Sequence, residues 1–78
     1  MTRQSGTSDE TLVVERRDDV DWVTLNRPGK HNALDPGMIE RLCTYLEQAA
    51  ADTDLRVIVI RGNGPSFCAG LDLSAQLA

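Results

Sequence analysis

The sequence predicts an α/β fold in the order strand, strand, helix, strand, and three observations carry that prediction. Two short segments, Thr11 to Arg16 and Val20 to Leu25, are rich in β-branched and aromatic residues and flank a polar Arg17-Asp18-Asp19 turn, the pattern of a hairpin. Met38, Ile39, Leu42, Tyr45, Leu46 and Ala49 then recur at steps of three and four, which places them along one face of a helix. Val57 to Ile60 follows as an apolar run without alternation, the pattern of a strand buried on both faces in a parallel sheet.

Residues 1–10 carry Ser, Thr, Gly and charge with almost nothing to bury, so they are expected to form a disordered tail. Pro28 and Gly29 end the second strand, because proline cannot donate to a ladder. The helix start is marked by Asp35, whose carboxylate can accept from the first free N–H groups, and by Pro36, whose φ already suits the first helical position. Asp52 to Asp54 closes the helix. A helical crossover between strands of one sheet gives a parallel pair, with the helix over one face. Nothing remains in 78 residues to cover the other.

Composition limits the function classes. A 78-residue chain is one small domain, and a core of that size supplies only ~3–5 kcal/mol of net stability. Apolar residues make up 41% and charged residues 26%, values of a globular chain, and with one Trp, one Tyr and one Phe its core is aliphatic. The formal net charge of -4 argues against a nucleic-acid surface, which needs clustered Lys and Arg. Cys43 and Cys68 are far apart and lack the ligand spacing of a zinc site, so both are expected to be small packing residues and no metal is expected. The first residues lack the basic start and apolar run of a signal peptide, and no stretch reaches the ~20 apolar residues of a membrane span. A cytoplasmic protein without a membrane partner is expected.

Chemistry concentrates where the third strand runs into Gly62-Asn63-Gly64-Pro65-Ser66-Phe67-Cys68-Ala69-Gly70-Leu71-Asp72. A dinucleotide fingerprint fails because Phe67 stands where its third glycine belongs. A Walker loop fails because Gly70 is followed by Leu71 and Asp72 rather than Lys and Ser or Thr. Two readings stay open: a tight turn, or a turn whose backbone N–H groups face an oxygen that gains negative charge. Near it, His31 is the lone histidine and invites a general-base role, whereas Cys68 has no cation close in sequence to activate it. Asp72 suits the cap of a following helix.

Taken in order, Leu25-Asn26-Arg27-Pro28, Asn32-Ala33-Leu34, Val57-Ile58-Val59-Ile60-Arg61-Gly62 and Phe67-Cys68-Ala69-Gly70-Leu71-Asp72-Leu73 resemble the amino-terminal part of the enoyl-CoA hydratase/isomerase, or crotonase, family. The resemblance covers residues 11–78 and implies a partial, truncated crotonase-type spiral, in which strand-strand-helix turns repeat. It implies an acyl-CoA thioester as partner, with coenzyme A carried by the substrate and no separate cofactor. The backbone N–H of Leu71 takes the place of one oxyanion-hole donor, and Lys30, His31, Ala33, Ala69, Gly70, Leu71, Asp72 and Leu73 take the places of coenzyme A contacts. The resemblance gives His31 no general-base role. The family's second oxyanion donor and its proton-transferring glutamates belong to downstream segments, so the expected role is a portion of a lyase or isomerase that is inactive alone. The alternative is a non-catalytic remnant or interaction module that pairs with a complementary crotonase chain or with itself.

Overall fold

In the computed structural model, which describes residues 10–73, the two β-rich segments form strands β1 (Leu12–Arg17) and β2 (Val20–Leu25). They pair antiparallel, from Leu12 opposite Leu25 to Arg17 opposite Val20. Asp18 and Asp19 alone connect them, and Asp18 adopts the left-handed conformation at φ 56, which Asp tolerates better than most residues. The tail expected over residues 1–10 lies, apart from Glu10, outside the described residues.

Helix α1 (Pro36–Ala50) starts as the sequence predicts: the Asp35 side chain accepts from the Met38 N–H at 2.8 Å, with Pro36 at the first helical position. Its buried stripe is narrower than the periodicity suggests. Met38, Tyr45 and Ala49 are buried and Leu42 packs beside them, whereas Leu46 remains 43% exposed. The helix ends at Ala50, just ahead of the expected stop. Cys43 follows Leu42 off the stripe and is exposed, so it is not the packing residue expected from composition.

Strand β3 (Val57–Gly62) runs parallel to β2 in a sheet ordered β1-β2-β3, with Val20 opposite Val57 and Leu25 opposite Gly62. The Asp19 carbonyl fixes where β3 begins by accepting from the N–H groups of Arg56 (2.8 Å) and Val57 (3.3 Å). The expected burial of β3 on both faces is corrected by the structure, since Val57 and Ile60 are 49% and 42% exposed. The cause is position: β3 is an edge strand, and among its residues only Ile58 packs against the core. That core joins Leu12, Val23 and Leu25 of the sheet to Met38, Tyr45 and Ala49 of the helix.

One carboxylate lies inside this apolar layer. Asp21 is fully buried and accepts from the Tyr45 hydroxyl at 2.6 Å and from the Arg16 guanidinium, which also reaches Asp52 just past the helix end. Hydrogen bonding to Asp21 and then to Asp52 holds the proton affinity of Arg16 above that of an ordinary arginine. A buried carboxylate is tolerable only when donors surround it, so this cluster ties β1, β2 and the helix end together. On the opposite face of the sheet, Trp22 receives two cations, with the guanidinium carbons of Arg17 and Arg61 each 5.1 Å from its ring centre.

Because β2 and β3 are parallel, the loops leaving them emerge at the same end of the sheet, and a buried amide binds the two loops together. Asn32 is 0% exposed. Its Oδ1 accepts from the Arg27 N–H at 2.7 Å, and its Nδ2 donates to the carbonyls of Asn63 (3.0 Å) and Ser66 (2.8 Å). The same crossing explains Gly62: a Cβ there would lie 2.4 Å from the Phe67 carbonyl oxygen, 2.6 Å from that of Ser66 and 2.8 Å from Asn32 Nδ2. The far end of the sheet carries instead an open groove of about 310 Å³ between the helix end and the start of β3.

Two stability changes are expected. Tyr45→Phe keeps the packing but removes a donor from the buried Asp21, at a cost of about 1–3 kcal/mol, and thermal unfolding followed by circular dichroism should show a lower midpoint. Gly62→Ala forces backbone apart at the loop crossing and should cost about 1–3 kcal/mol. An unchanged midpoint in either variant would contradict the corresponding assignment.

Candidate active site

The loop after β2 opens with a short 3-10 turn, Pro28–Lys30, and then places His31 (φ 52) and Asn32 (φ 57) in left-handed conformations. This reversal carries the chain back toward the sheet end, where Leu34 meets the glycine-rich turn after β3. Leu34 and Leu71 form an isolated parallel bridge. The Leu34 N–H donates to the Gly70 carbonyl at 2.7 Å, and the Asp72 N–H donates to the Leu34 carbonyl at 2.9 Å.

The bridge determines where the next donor points. In a trans peptide the C=O and N–H lie on opposite sides, so with the Gly70 carbonyl turned to Leu34 the Leu71 N–H is directed away from it. No described residue accepts from that N–H, and Leu71 is 55% exposed. Gly70 makes the approach to the bridge at φ 91, a conformation that a residue with a Cβ rarely adopts, and a Cβ there would meet nothing within 4 Å. The requirement at Gly70 is therefore torsional, in contrast to the steric one at Gly62. The result is a fixed backbone donor open to an incoming oxygen.

Arg27 holds this arrangement from beneath, and the sequence reading did not single it out as a site residue. Its Nη1 donates to the Ala33 carbonyl at 2.9 Å and to Asp72 Oδ2 at 2.8 Å, while its Nε lies 3.7 Å from Asp35 Oδ2. In the sequence Asn32 stands out only as part of the Asn32-Ala33-Leu34 motif. Neither residue carries a periodicity signal, because their partners lie in loops that meet only after β2 and β3 have paired. The local signal available was an Asn next to a reversal, a residue that tolerates the left-handed region and carries both donor and acceptor.

The residues expected to line the site fall into two neighbouring strips. Lys30 and His31 are exposed on the first loop, with His31 Nδ1 3.0 Å from Ser66 Oγ of the second. Ala33 is half-buried and its carbonyl is occupied by Arg27. Ala69, Gly70, Leu71 and Leu73 are exposed on the second loop, where the Gly70 N–H lies 3.4 Å from Cys68 Sγ. Asp72 is half-buried and paired with Arg27, and the helix it was expected to cap lies beyond the described residues apart from its first position. Cys68 packs against the core, as its composition-level assignment anticipates. Among the described residues no group of three or more His, Cys, Asp or Glu side chains is placed to hold a metal ion.

Residues 20–77 match the family model described as enoyl-CoA hydratase/isomerase. The chain is 46% identical over 63 residues to 2,3-dehydroadipyl-CoA hydratase of Escherichia coli strain K12, covering 81% of this chain and 25% of that protein. It is 37% identical over 68 residues to 3-hydroxyisobutyryl-CoA hydrolase 1 of Arabidopsis thaliana, covering 87% of this chain and 18% of that protein. The crystal structure of an enoyl-CoA hydratase from Mycobacterium tuberculosis H37Rv superposes with a TM-score of 0.79 at 40% identity, covering 83% of this chain and 28% of that one. The chain thus spans a quarter or less of the length of these curated relatives. With residues 20–77 matching the family model and the strand-strand-helix-strand fold shared with a solved relative, the chain belongs to the enoyl-CoA hydratase/isomerase family.

Proposed function

We propose that these residues form the amino-terminal wall of an acyl-CoA site, in which the Leu71 N–H donates to the thioester carbonyl oxygen. The observation that carries this reading is the Leu71 N–H itself, exposed and without an acceptor among the described residues, on a turn fixed by the Leu34 bridge. The two relatives support the substrate class, since a hydratase and a hydrolase of different acyl groups share a coenzyme A thioester. When a proton is removed beside the thioester or a nucleophile adds to it, negative charge builds on that oxygen. A fixed donor gains strength at that moment, and removing one such donor costs about 2.7–4 kcal/mol of transition-state stabilisation.

Coenzyme A would lie along the two strips. Main-chain groups of Ala69, Gly70, Asp72 and Leu73 flank the thioester end, and Lys30, His31 and Ala33 follow it outward. Lys30 offers a compact ammonium for phosphate. The second oxyanion donor and the proton-transferring carboxylates are assigned to segments other than these 78 residues, so the chain alone binds but does not turn over. A second reading is favoured by the half-exposed Val57 and Ile60 on edge strand β3: pairing of that edge with a further chain.

Amide NMR of the labelled chain separates the outcomes. Saturating acetyl-CoA should move the Leu71 resonance, whereas CoA without the acyl group should move Lys30 and Ala69 but leave Leu71 in place. A Leu71 resonance that stays fixed while its neighbours respond to acetyl-CoA would refute the donor role. For the second reading, size-exclusion chromatography should show a species larger than one chain at high concentration, and a monomer throughout would remove it.

A further inference from the structure

We infer that Arg27 is a positioning residue for the Leu71 donor, acting through Asp72 and the Leu34 bridge. The inference rests on the proposed role of the Leu71 N–H and adds the group that sets its direction. The Arg27 side chain has two hydrogen-bond acceptors, Ala33 and Asp72, and an ion-pair partner in Asp35, and together these adjoin the bridge on both of its strands. Ala33 and Asp35 stand on either side of Leu34, and Asp72 follows Leu71.

Arg27 can do this because its own backbone is held first. Its N–H donates to Asn32 Oδ1 at 2.7 Å, and its carbonyl accepts from the N–H groups of Lys30 (3.0 Å) and Asn32 (2.9 Å). From that base one planar guanidinium reaches the loop that leads into the helix and the turn that carries the donor. The side chains of Arg27 and Asp72 are only 21% and 15% exposed, so water screens the pair less than it screens a surface ion pair. The Leu34–Leu71 bridge lies outside the three-stranded sheet and, among the described residues, carries two backbone hydrogen bonds. A charge-assisted clamp beside so short a ladder decides whether the Gly70 carbonyl keeps facing Leu34, and with it where the Leu71 N–H points.

Arginine is required rather than positive charge alone. A guanidinium presents several donors in one plane and serves a carbonyl and a carboxylate together, whereas an ammonium at the end of a flexible stem is a point charge. Lys at this position should therefore restore the charge but only part of the alignment.

Native-state hydrogen exchange and amide NMR test this in the full chain and in Arg27→Gln, Arg27→Lys and Asp72→Asn. Exchange of the Leu34 and Asp72 N–H groups should accelerate by ~10-fold or more in Arg27→Gln and by less in Arg27→Lys, while that of the Val23 N–H in the central strand stays within about twofold. The acetyl-CoA-specific shift of the Leu71 resonance should shrink in the same order, with the responses of Lys30 and Ala69 to CoA retained. Unchanged exchange of Leu34 and Asp72 in Arg27→Gln would overturn the positioning role whatever the ligand does. If Arg27→Gln fails to fold, Asp72→Asn supplies the same comparison from the other partner, and unaltered exchange there would also overturn it. A wild-type chain with no acetyl-CoA shift at Leu71 would instead overturn the donor role, leaving the exchange result to judge the clamp by itself.

Discussion

The buried amide of Asn32 is the constraint on which the functional end of this structure depends. Parallel pairing of β2 and β3 delivers two loops to one edge of the sheet, but parallel pairing does not make those loops touch. Asn32 makes them touch by using its oxygen on the first loop and its nitrogen on the second. An unpaired amide in so dry a place would cost about 1–3 kcal/mol, so the side chain is stable there only while both loops are in place. Loop geometry and the burial of Asn32 therefore stabilise each other, and the absence of a side chain at Gly62 leaves the space in which they meet.

From that weld the remaining geometry follows in short steps. Asn32 fixes the backbone of Arg27, the Arg27 guanidinium engages the two segments that hold the bridge, and the bridge turns one peptide so that its N–H faces outward. Each step is an ordinary hydrogen bond or ion pair. In the proposed role of the Leu71 N–H the ordering is what counts, since a donor aimed before substrate arrives would not have to reorganise as charge develops on the bound oxygen.

The elements of the fold were largely legible in the sequence, and the contacts between them were not. Strand β2, the Asp35 cap and the run of β3 follow from alternation, capping chemistry and apolar continuity, all of which act between near neighbours. The exposure of Val57 and Ile60 is not legible in the sequence, because an unbroken apolar run does not say how much of its cover these 78 residues supply. The buried Asp21 sits within an alternating strand at a position where pattern demands an apolar residue, and only the joint arrival of Arg16 and Tyr45 makes it tolerable. At the site, Leu71 could be picked out by its place in a motif, but the direction of its N–H depends on Leu34, thirty-seven positions earlier by residue number.

The tryptophan on the outer face has a consequence for how this chain reports on itself. Trp22 is the sole indole, and its two guanidinium neighbours come from the strands on either side of its own. Its emission is therefore a gauge of whether all three strands remain side by side. The ring belongs to the sheet face turned away from the helix, so the fluorophore is a natural beacon for strand separation and a poor witness to events among the loops.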